Sequence, residues 1–563
     1  MVLLKKHLIL FLLAIIISAT FISYSNSFRN EFVWDDRHFI VENSFVHDFS
    51  HWRDLFTHNM GYAGGSRNNF YRPLFSLLNT FDYVAGKGKP FMFHLTNTFL
   101  HAGCAILVFT LIYLIAGKNH LVAFGTAILF ALHPVATQSV TYISGRADPL
   151  YLFFSLSSMI FFIIFLNGKK KAPAYLLSLF CLIFSFLAKE AAIVTPFLIL
   201  LYINILRAPK DRKTGNLGLI PHFMILFIYA LLRITILNFS KESYTTLSLQ
   251  IQPLMIRAIT ACKAIFMYFR FLLVPTGFHM ETHLPYSTSL AEREALFAIV
   301  GVMFIIGIMF YQWKRNKYYF FGLTWFFVAL FPVLNIIPVN AVVAIHWLYL
   351  PSIGFFFLLN CITRDLLGEK NKYIYVSTIL FISLSLGILT YRSNERWKNE
   401  EALYKSILPF SRTPRVYVNL GNIYARGGEL DKASFYYLKA MELAPGQTEV
   451  YVNLGYVYSE KGDFKKAEKM LKKAIDITPK HPNAHFNLAA IYANTGRPDE
   501  AITELKKTLS LDPYHYTALN VLGELYLEQG RKNEAWKAFK RSLKVKNDQP
   551  RIKEMLQNLE SPE

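Results

Sequence analysis

Long uncharged apolar runs follow one another along the chain up to about residue 392, and the pattern then changes to short amphipathic segments rich in charge. Runs of this length cross the ~30 Å hydrocarbon core of a bilayer as helices. The first part of the chain is therefore predicted to be a polytopic membrane domain over 1–392. Its eleven predicted spans are 8–25, 91–116, 121–140, 149–166, 173–188, 191–206, 219–237, 296–312, 318–338, 343–361 and 373–390.

Two apolar segments need a separate interpretation. The first run follows a pair of lysines, as a signal peptide would, but no small-residue cleavage site comes after it. We therefore predict a retained anchor. The segment 256–274 contains three cations, Arg257, Lys263 and Arg270. Because three cations within one span are costly, we expect an interfacial or re-entrant helix there.

The basic residues between the spans predict the orientation of the chain. With a cytoplasmic N-terminus, every short basic cluster falls on the cytoplasmic side, as the positive-inside rule requires. These clusters are Lys5–Lys6, Lys118, Lys169–Lys171, Arg207–Lys213, Lys314–Lys317 and Arg364–Lys372. The first loop (26–90), the 133–148 loop and everything after residue 391 are then extracytoplasmic. We expect a multi-pass protein of a bacterial inner membrane, or of the endoplasmic reticulum membrane in a eukaryote.

Composition narrows the class of protein. Of the 563 residues 53% are apolar and only 17% are charged, which excludes an ordinary soluble enzyme. The net charge is +21, but aromatic residues make up 16% of the chain, unlike a disordered nucleic-acid binder. We interpret the basic excess as a topological signal and expect the lipid bilayer, not nucleic acid, as a partner. The four cysteines form no CxxC pair, so they predict neither a zinc site nor a disulfide framework.

The second part of the chain repeats with a period of 34 residues. The recurring positions are Gly421, Gly455, Ala489 and Gly523; Tyr424, Tyr458, Tyr492 and Tyr526; Ala433, Ala467, Ala501 and Ala535; and Pro445, Pro479 and Pro513. This is the tetratricopeptide pattern, in which paired helices stack on their neighbours and leave a concave groove. We expect four repeats over 414–547, after a linker at 393–413 and before a C-terminal tail at 548–563.

Asn419, Asn453 and Asn487 recur at the same period, on the helix that usually faces the groove. Amide side chains can hydrogen-bond a peptide backbone without reading its side chains. We interpret these residues as an acceptor-peptide groove. The alternative is that they only decorate the repeat surface, because the fourth repeat has Val521 at this position.

An acidic pair, Asp35–Asp36, lies shortly after the first span. Adjacent carboxylates repel each other, which raises one pKa and favours a neighbouring cation or metal ion. Either carboxylate is therefore a candidate general base. The alternative is a helix N-cap or a solvated pair.

Other polar and basic residues are predicted at the same membrane face. Polar side chains in the outer third of a span mark a cavity or a ligand path, with packing between spans as the alternative. The predicted substrate cavity comprises His94, Asn97, His101, His133, Asp148 and Glu190. Cations at the membrane surface can hold a lipid phosphate, and the candidates are Arg72, Arg146, Lys189, Arg257 and Arg270. Arg146 and Asp148 could instead pair with each other or cap a helix.

Several motifs occur in a fixed order: the Asp35–Asp36 pair, YRPL (71–74), the His94/Asn97/His101 span, LFALHPV (129–135), GRAD (145–148), AKE (188–190), LYLPSIGF (348–355) and the repeats. In this order they resemble the transmembrane and tetratricopeptide repeat-containing O-mannosyltransferases, and we expect a prokaryotic relative of them. The resemblance implies a GT-C fold, a catalytic acidic motif in the first outer loop and a polyprenyl-phosphate sugar as donor.

The residues and the resemblance together predict an inverting glycosyltransferase that transfers a sugar, with mannose favoured, to Ser or Thr hydroxyls of exported proteins. Asp35 is the predicted base, and Asp36 would orient it or bind a cation. A divalent cation is left open, because the chain has Ala136, Thr137 and Gln138 where the family tends to have His-Thr-Glu. Two alternatives stay open: a glycan polymerase or ligase with a diphosphate-linked lipid donor, and a non-enzymatic membrane-anchored repeat scaffold.

Overall fold

The structure is a computed structural model that describes residues 2–65, 68–168, 171–239, 371–411 and 413–559, and residues 252–367 apart from positions 278, 281, 283, 288, 290, 291, 338 and 340. The chain divides into two compact units, Met1–Ser406 and Ile407–Glu563. All regular elements within the described residues are helical, which confirms the predicted all-α class. Positions 169, 170 and 370 of the predicted basic clusters and the last residues of the predicted tail lie outside the described residues.

The first unit, here called the membrane unit, consists of apolar helices joined by short loops and 3-10 turns. Its longer helices are α1 (Val2–Tyr24), α2 (Pro73–Gly86), α3 (Pro90–Ile115), α4 (His120–Leu132), α5 (Ala147–Asn167), α6 (Lys171–Ala188), α7 (Thr195–Leu206), α8 (Pro209–Ile234), α9 (Leu254–Leu273), α10 (Arg293–Arg315), α11 (Lys317–Leu330), α12 (Pro351–Leu367) and α13 (Lys372–Asn394). Local sequence fixes several starts. Proline opens α2 and α3, and the Asn119 side chain accepts from the backbone N–H groups of Leu121 and Val122 to cap α4.

Seven helices among the described residues are long and apolar enough to cross a membrane. They are Lys6–Arg29, Pro90–Ile115, Ile143–Asn167, Lys171–Ala188, Pro209–Ile234, Arg293–Arg315 and Lys372–Trp397. Each overlaps one of the predicted spans. The chain is therefore a multi-pass membrane protein.

The other four predicted spans differ from straight membrane helices. The 121–140 span is a pair of helices that meet at an angle of 51° next to His133. Two more are shorter apolar helices, Glu190–Leu206 and Lys317–Val333. The 343–361 span falls on a 3-10 turn and α12. The count of eleven spans thus stays a prediction.

The helices of the membrane unit approach closely where the sequence supplies small residues. Gly322 on α11 faces Gly354 on α12, and a Cβ atom at Gly354 would lie 2.7 Å from the Gly322 carbonyl oxygen. The Trp325 side chain fills the space beside this contact and donates from Nε1 to the Leu350 carbonyl at 3.2 Å. A side chain at either glycine would push the two helices apart.

The second unit, here called the repeat unit, contains the predicted tetratricopeptide repeats. Its helices follow α14 (Glu400–Ile407) and are α15 (Pro414–Arg426), α16 (Leu430–Leu443), α17 (Thr448–Glu460), α18 (Phe464–Ile477), α19 (Pro482–Asn494), α20 (Pro498–Leu511), α21 (Tyr516–Glu528), α22 (Lys532–Val545) and α23 (Pro550–Gln557). The recurring glycines allow the helices of each repeat to touch, since a Cβ at Gly421 would lie 2.4 Å from the Tyr437 ring. Helix α14 lies in the segment predicted as a linker, and α23 lies in the segment predicted as a tail.

Candidate active site around the acidic pair

Asp36 is a buried anchor between two loops. Its side chain is fully buried, and Oδ2 accepts from the Val33 backbone N–H at 3.0 Å while Oδ1 accepts from the Ser144 backbone N–H at 2.8 Å. The Ser144 hydroxyl also donates to Oδ1. Burial raises the pKa of Asp36 to about 7, although these hydrogen bonds oppose the shift. Asp36 stands at the N-cap position of the helical turn Arg37–Val41, but its side chain makes no capping hydrogen bond and is not solvated.

Asp35 has a different environment from its neighbour. Its side chain is only half-buried, and its backbone carbonyl accepts from the Phe39 N–H at 2.9 Å. Trp34, just before it, has a positive φ of 53°, a backbone conformation that non-glycine residues rarely adopt. Such strained residues cluster at functional sites. The pair therefore presents one carboxylate fixed in the protein and one nearer the surface.

Three aromatic rings form a stack beside the pair. Trp34 stacks on Tyr142 with ring centroids 5.9 Å apart, and Tyr142 stacks on Trp397 at 5.1 Å. Tyr142 belongs to the second predicted outer loop, and Trp397 follows α13 near the end of the membrane unit. Three segments that are distant in sequence therefore meet at Asp35. The sequence interpretation missed Tyr142 and Trp397, although an aromatic residue just after the last apolar run was a usable signal.

Asn394, at the end of α13, forms hydrogen bonds to the end of α1, to the first loop and to the second loop. Its Nδ2 donates to the Ser23 carbonyl at 2.8 Å, and its Oδ1 accepts from the Thr141 hydroxyl at 2.6 Å. Its backbone carbonyl accepts from the Asn30 side chain at 3.2 Å. The last helix of the membrane unit thus holds both the beginning of the first loop and the second loop.

Arg146 is a buried structural residue and not an accessible phosphate ligand. Its side chain has no exposed surface, and NH1 lies 2.7 Å from Asp82 Oδ2 in an ion pair. Its other contacts are to Asn97 Oδ1 at 2.8 Å, Asn79 Oδ1 at 2.9 Å and the Phe93 carbonyl at 2.7 Å. The expectation that it pairs with Asp148 or binds the donor phosphate is therefore wrong, because Asp82 already balances its charge inside the protein.

Four residues of the predicted cavity also connect buried elements. His94 and His101 lie against the carbonyls of Asn30 and Ala131, at 3.2 and 2.9 Å. Asn97 donates to the Val140 carbonyl at 3.0 Å, and His133 lies 3.2 Å from the Leu272 carbonyl. All four are at most 1% exposed. They pack between helices, as the alternative interpretation held, and do not line an open cavity.

Four predicted residues do come together, and we call Arg72, Asp148, Lys189 and Glu190 the charged cluster. Arg72 contacts Glu190 Oε2 through Nε at 3.0 Å and NH2 at 2.9 Å, and Lys189 Nζ lies 2.6 Å from Asp148 Oδ1. Burial lowers the pKa of Lys189, and the Asp148 carboxylate opposes that shift. The cluster is only partly exposed, with 13% of the Arg72 side chain and 29% of the Glu190 side chain accessible.

The two remaining basic candidates lie apart from one another on α9. Arg257 is near its first turn and donates to the Ile336 carbonyl at 2.9 Å, while Arg270 is in its last turn next to the Phe271 ring. Thirteen helical residues separate the two by ~20 Å. No contact among the described residues joins either of them to the charged cluster. The structure therefore does not bring them together into one phosphate site.

An apolar groove of about 720 Å³ opens between α7 and α11. It is lined by Ile193, Val194, Phe197, Leu200, Leu201, Asn204, Ile205, Phe327, Val328, Phe331, Pro332 and Ile337. The first two of these residues belong to the 3-10 turn Glu190–Val194, which begins in the charged cluster. This turn therefore connects the charged cluster to the apolar groove along the chain.

The divalent cation that the sequence left open stays a prediction. The described residues contain no group of three or more His, Cys, Asp or Glu residues placed to hold an ion. The oxygens of Asp36 already accept from Val33 and Ser144.

The candidate peptide groove belongs to the repeat unit. Asn419, Asn453 and Asn487 are all half-buried on the first helices of their repeats. Asn453 Nδ2 donates to Asn422 Oδ1 at 3.3 Å, and the Tyr437 hydroxyl donates to the same oxygen at 2.6 Å. Asn422 therefore extends the amide row within the first repeat, and its use for an acceptor stays a prediction.

Comparison with known proteins agrees with the motif resemblance. The chain is 28% identical over 460 residues to a protein O-mannosyl-transferase of Caenorhabditis elegans, a match that covers 77% of this chain and 63% of the relative. Its curated relatives are protein O-mannosyl-transferases. Human TMTC4 is 26% identical, with 75% of this chain and 64% of the relative covered, and mouse TMTC3 is 25% identical, with 77% and 51% covered.

These matches cover only part of each relative. The chain spans about half to two thirds of the length of these relatives. All three are animal proteins, so the expectation of a prokaryotic relative receives no support. A family model described as the Cilia and flagella-associated protein 70 C-terminal domain matches residues 384–561, which include the repeats.

Proposed function

We propose that the chain is a membrane glycosyltransferase that transfers a sugar, with mannose favoured, from a polyprenyl-phosphate donor to Ser or Thr hydroxyls of exported proteins. The names of the relatives support the reaction class. The observation that carries the proposal is that one short segment, Ser144–Asp148, contacts both Asp36 and Lys189. Ser144 holds Asp36, and Asp148 holds Lys189. Four residues in a 3-10 turn and the start of a helix span only ~6–8 Å.

Each of the three parts of the proposed donor, which are the lipid tail, the phosphate and the sugar, has a place in this arrangement. Its polyprenyl chain would occupy the apolar groove, and its phosphate would lie at Arg72 and Lys189, where it competes with Glu190 and Asp148. The sugar would then project toward Asp35. Partly buried cations of this kind bind phosphate more strongly than exposed ones, because water screens them less.

The reaction would be a single displacement. Asp35 accepts the proton of the acceptor hydroxyl as its oxygen attacks the anomeric carbon, and the bond from that carbon to the phosphate oxygen breaks. The electron pair leaves with the phosphate, whose charge Arg72 and Lys189 stabilise. Attack opposite the leaving group inverts the anomeric configuration.

The test is sugar transfer by the full chain in liposomes that contain a polyprenyl-phosphate sugar, with a Ser/Thr peptide as acceptor. We expect Asp35→Asn to lower kcat by at least a hundredfold, because a neutral amide cannot accept the proton. The control is Asp48→Asn, an exposed carboxylate in the same loop. Transfer at the wild-type rate by Asp35→Asn would refute the role of Asp35, and absence of transfer by the wild type would refute the proposed reaction.

A further inference from the structure

Tyr142 carries a polar group that the mechanism above does not use. The residue is 7% exposed, and its phenol oxygen lies beside the Asp35 backbone and the Ser144 side chain. No contact of this oxygen with the described residues has hydrogen-bonding geometry. A buried polar group without a partner costs roughly 1–3 kcal/mol, so such groups are rare in folded proteins. Tyr142 differs from other buried phenols of this kind, such as Tyr24, in that it lies beside the predicted base Asp35.

Neighbouring aromatic rings hold the Tyr142 ring in place, but no described residue makes a hydrogen bond of good geometry with its hydroxyl. The Tyr142 ring is fixed on both faces, by Trp34 and by Trp397. The Ser144 hydroxyl, which lies beside the phenol oxygen, donates its proton to Asp36 Oδ1. Because the ring is rigid and lies next to the predicted base, its O–H group is suited to donate a hydrogen bond to a substrate.

The protonation state is also defined. Burial, together with the negative charges of Asp35 and Asp36, raises the pKa of Tyr142 well above its usual value. The phenol is therefore neutral at physiological pH and can donate one hydrogen bond. It is not a base, and it lies beside Asp35, the base of the proposed function.

We propose that the Tyr142 hydroxyl donates a hydrogen bond to a ring hydroxyl of the donor sugar and so contributes to selection of the sugar. This inference rests on the proposed function, because it takes the sugar to lie at Asp35. Because Trp34 and Trp397 cover the ring, the hydroxyl at its edge is the group of Tyr142 that could contact a substrate. A site built to bond a substrate hydroxyl discriminates strongly against an analogue that lacks it.

The experiment compares wild type and Tyr142→Phe with a polyprenyl-phosphate mannose donor and its 2-, 3-, 4- and 6-deoxy analogues. We expect the wild type to lose at least tenfold in kcat/KM with one analogue. Tyr142→Phe should lose about tenfold with the parent donor but nothing further with that analogue, since the bond is already absent. A purely structural tyrosine would instead lower the rates with all donors by the same factor and would overturn the inference.

Two controls keep the result interpretable. Tyr24→Phe removes another fully buried phenol without a hydrogen-bond partner among the described residues, and it should leave the deoxy profile and the rate unchanged. If Tyr142→Phe folds poorly, difluorotyrosine at position 142 keeps the shape and lowers the phenol pKa. Activity should then fall at alkaline pH where the wild type stays active, and an unchanged pH profile would overturn the inference. A wild type inactive with every donor would instead refute the proposed function.

Discussion

The adjacent residues Asp35 and Asp36 differ in burial and in hydrogen bonding. Asp36 is fully buried and ties the first loop to the second through Val33 and Ser144, whereas Asp35 is half-buried beside the aromatic stack. An anchored carboxylate with three donors around its oxygens is poorly placed to turn toward a substrate. The proposed function therefore takes Asp35 as the base and gives Asp36 the role of positioning it.

The raised pKa of Asp36 predicts how stability depends on pH. The folded pKa, about 7, lies above the usual value of 3.8, so the folded state binds this proton more tightly than the unfolded chain does. Its contribution is fully present below pH ~4 and is lost as the pH rises through about 7, by at most about 4 kcal/mol. Asp36→Asn should therefore show a flatter decrease of the apparent Tm between pH 4 and 8 than the wild type.

This prediction is measured by thermal unfolding of the detergent-solubilised full chain at a series of pH values. The matched control is Asp48→Asn: hydrogen bonds from Ser50 hold the pKa of this exposed carboxyl below its usual value, so it stays ionised above pH ~5 and the variant should keep the wild-type slope between pH 5 and 8. Parallel curves for the wild type and Asp36→Asn would show that Asp36 does not take up a proton in this range.

Residue chemistry could be predicted from the sequence more readily than residue contacts. The order of the acidic and basic motifs indicated Asp35, Arg72 and Lys189 as candidates, and the last two lie in one cluster. The contacts of Arg146 and Trp397 could not be predicted from the sequence. The partner of Arg146 is Asp82, 64 positions earlier, and Trp397 contacts a ring 255 positions earlier. Nothing in the local pattern encodes which distant segments will meet.

At the scale of elements, the important pair is α7 and α11, whose apolar faces leave the groove open. The groove begins at the 3-10 turn Glu190–Val194 and continues along α7 to Ile205. It lies between two helices that are shorter than the other apolar helices. This geometry makes chain length of the lipid donor a measurable variable.

Filling the groove should weaken binding of long lipid chains. Val328→Trp places a larger side chain in the lining of the groove, so KM for a long-chain polyprenyl-phosphate sugar should rise at least fivefold. A short-chain donor should be much less affected, because less of it enters the groove. Leu296→Trp is the control, since Leu296 is 56% exposed on α10 and does not line the groove. An equal effect on both donors would contradict this role for the groove.

Elements with a strong local pattern were predictable. The 34-residue period placed the paired helices of the repeat unit, and the long apolar runs placed the seven helices that can cross a membrane. The exceptions have physical causes. His133 precedes a proline that ends α4, so the apolar run 121–140 bends by 51°. Hydropathy alone does not register such a break.

At the scale of the whole molecule, the last residues of the membrane unit contribute to the candidate site. Asn394 and Trp397 contact the two loops that surround the acidic pair, and they belong to the C-terminal end of the membrane unit, which ends at Ser406. The position of a truncation should therefore decide its effect. A chain that ends at residue 413 lacks the repeats but keeps these contacts, and a chain that ends at residue 390 lacks both.

We expect the 413 truncation to transfer sugar to short peptides at a rate within about threefold of the full chain, but to lose at least tenfold with protein acceptors. The 390 truncation should be inactive with every acceptor. Full-length Trp397→Ala separates loss of the stack from poor membrane insertion, and it should lower the rate with short peptides as well. Wild-type transfer to proteins by the 413 truncation would refute a role of the repeats in acceptor binding.

The position of Asn394 in the chain has a consequence for biosynthesis. Translation supplies Asp35 and Asp36 near its beginning, but the side chain that fastens their loop leaves the ribosome only after the other membrane helices have been made. A nascent or prematurely terminated chain would therefore carry the acidic pair without its finished setting. If the proposed function holds, an incomplete chain would therefore not transfer sugar before its last membrane helix is in place.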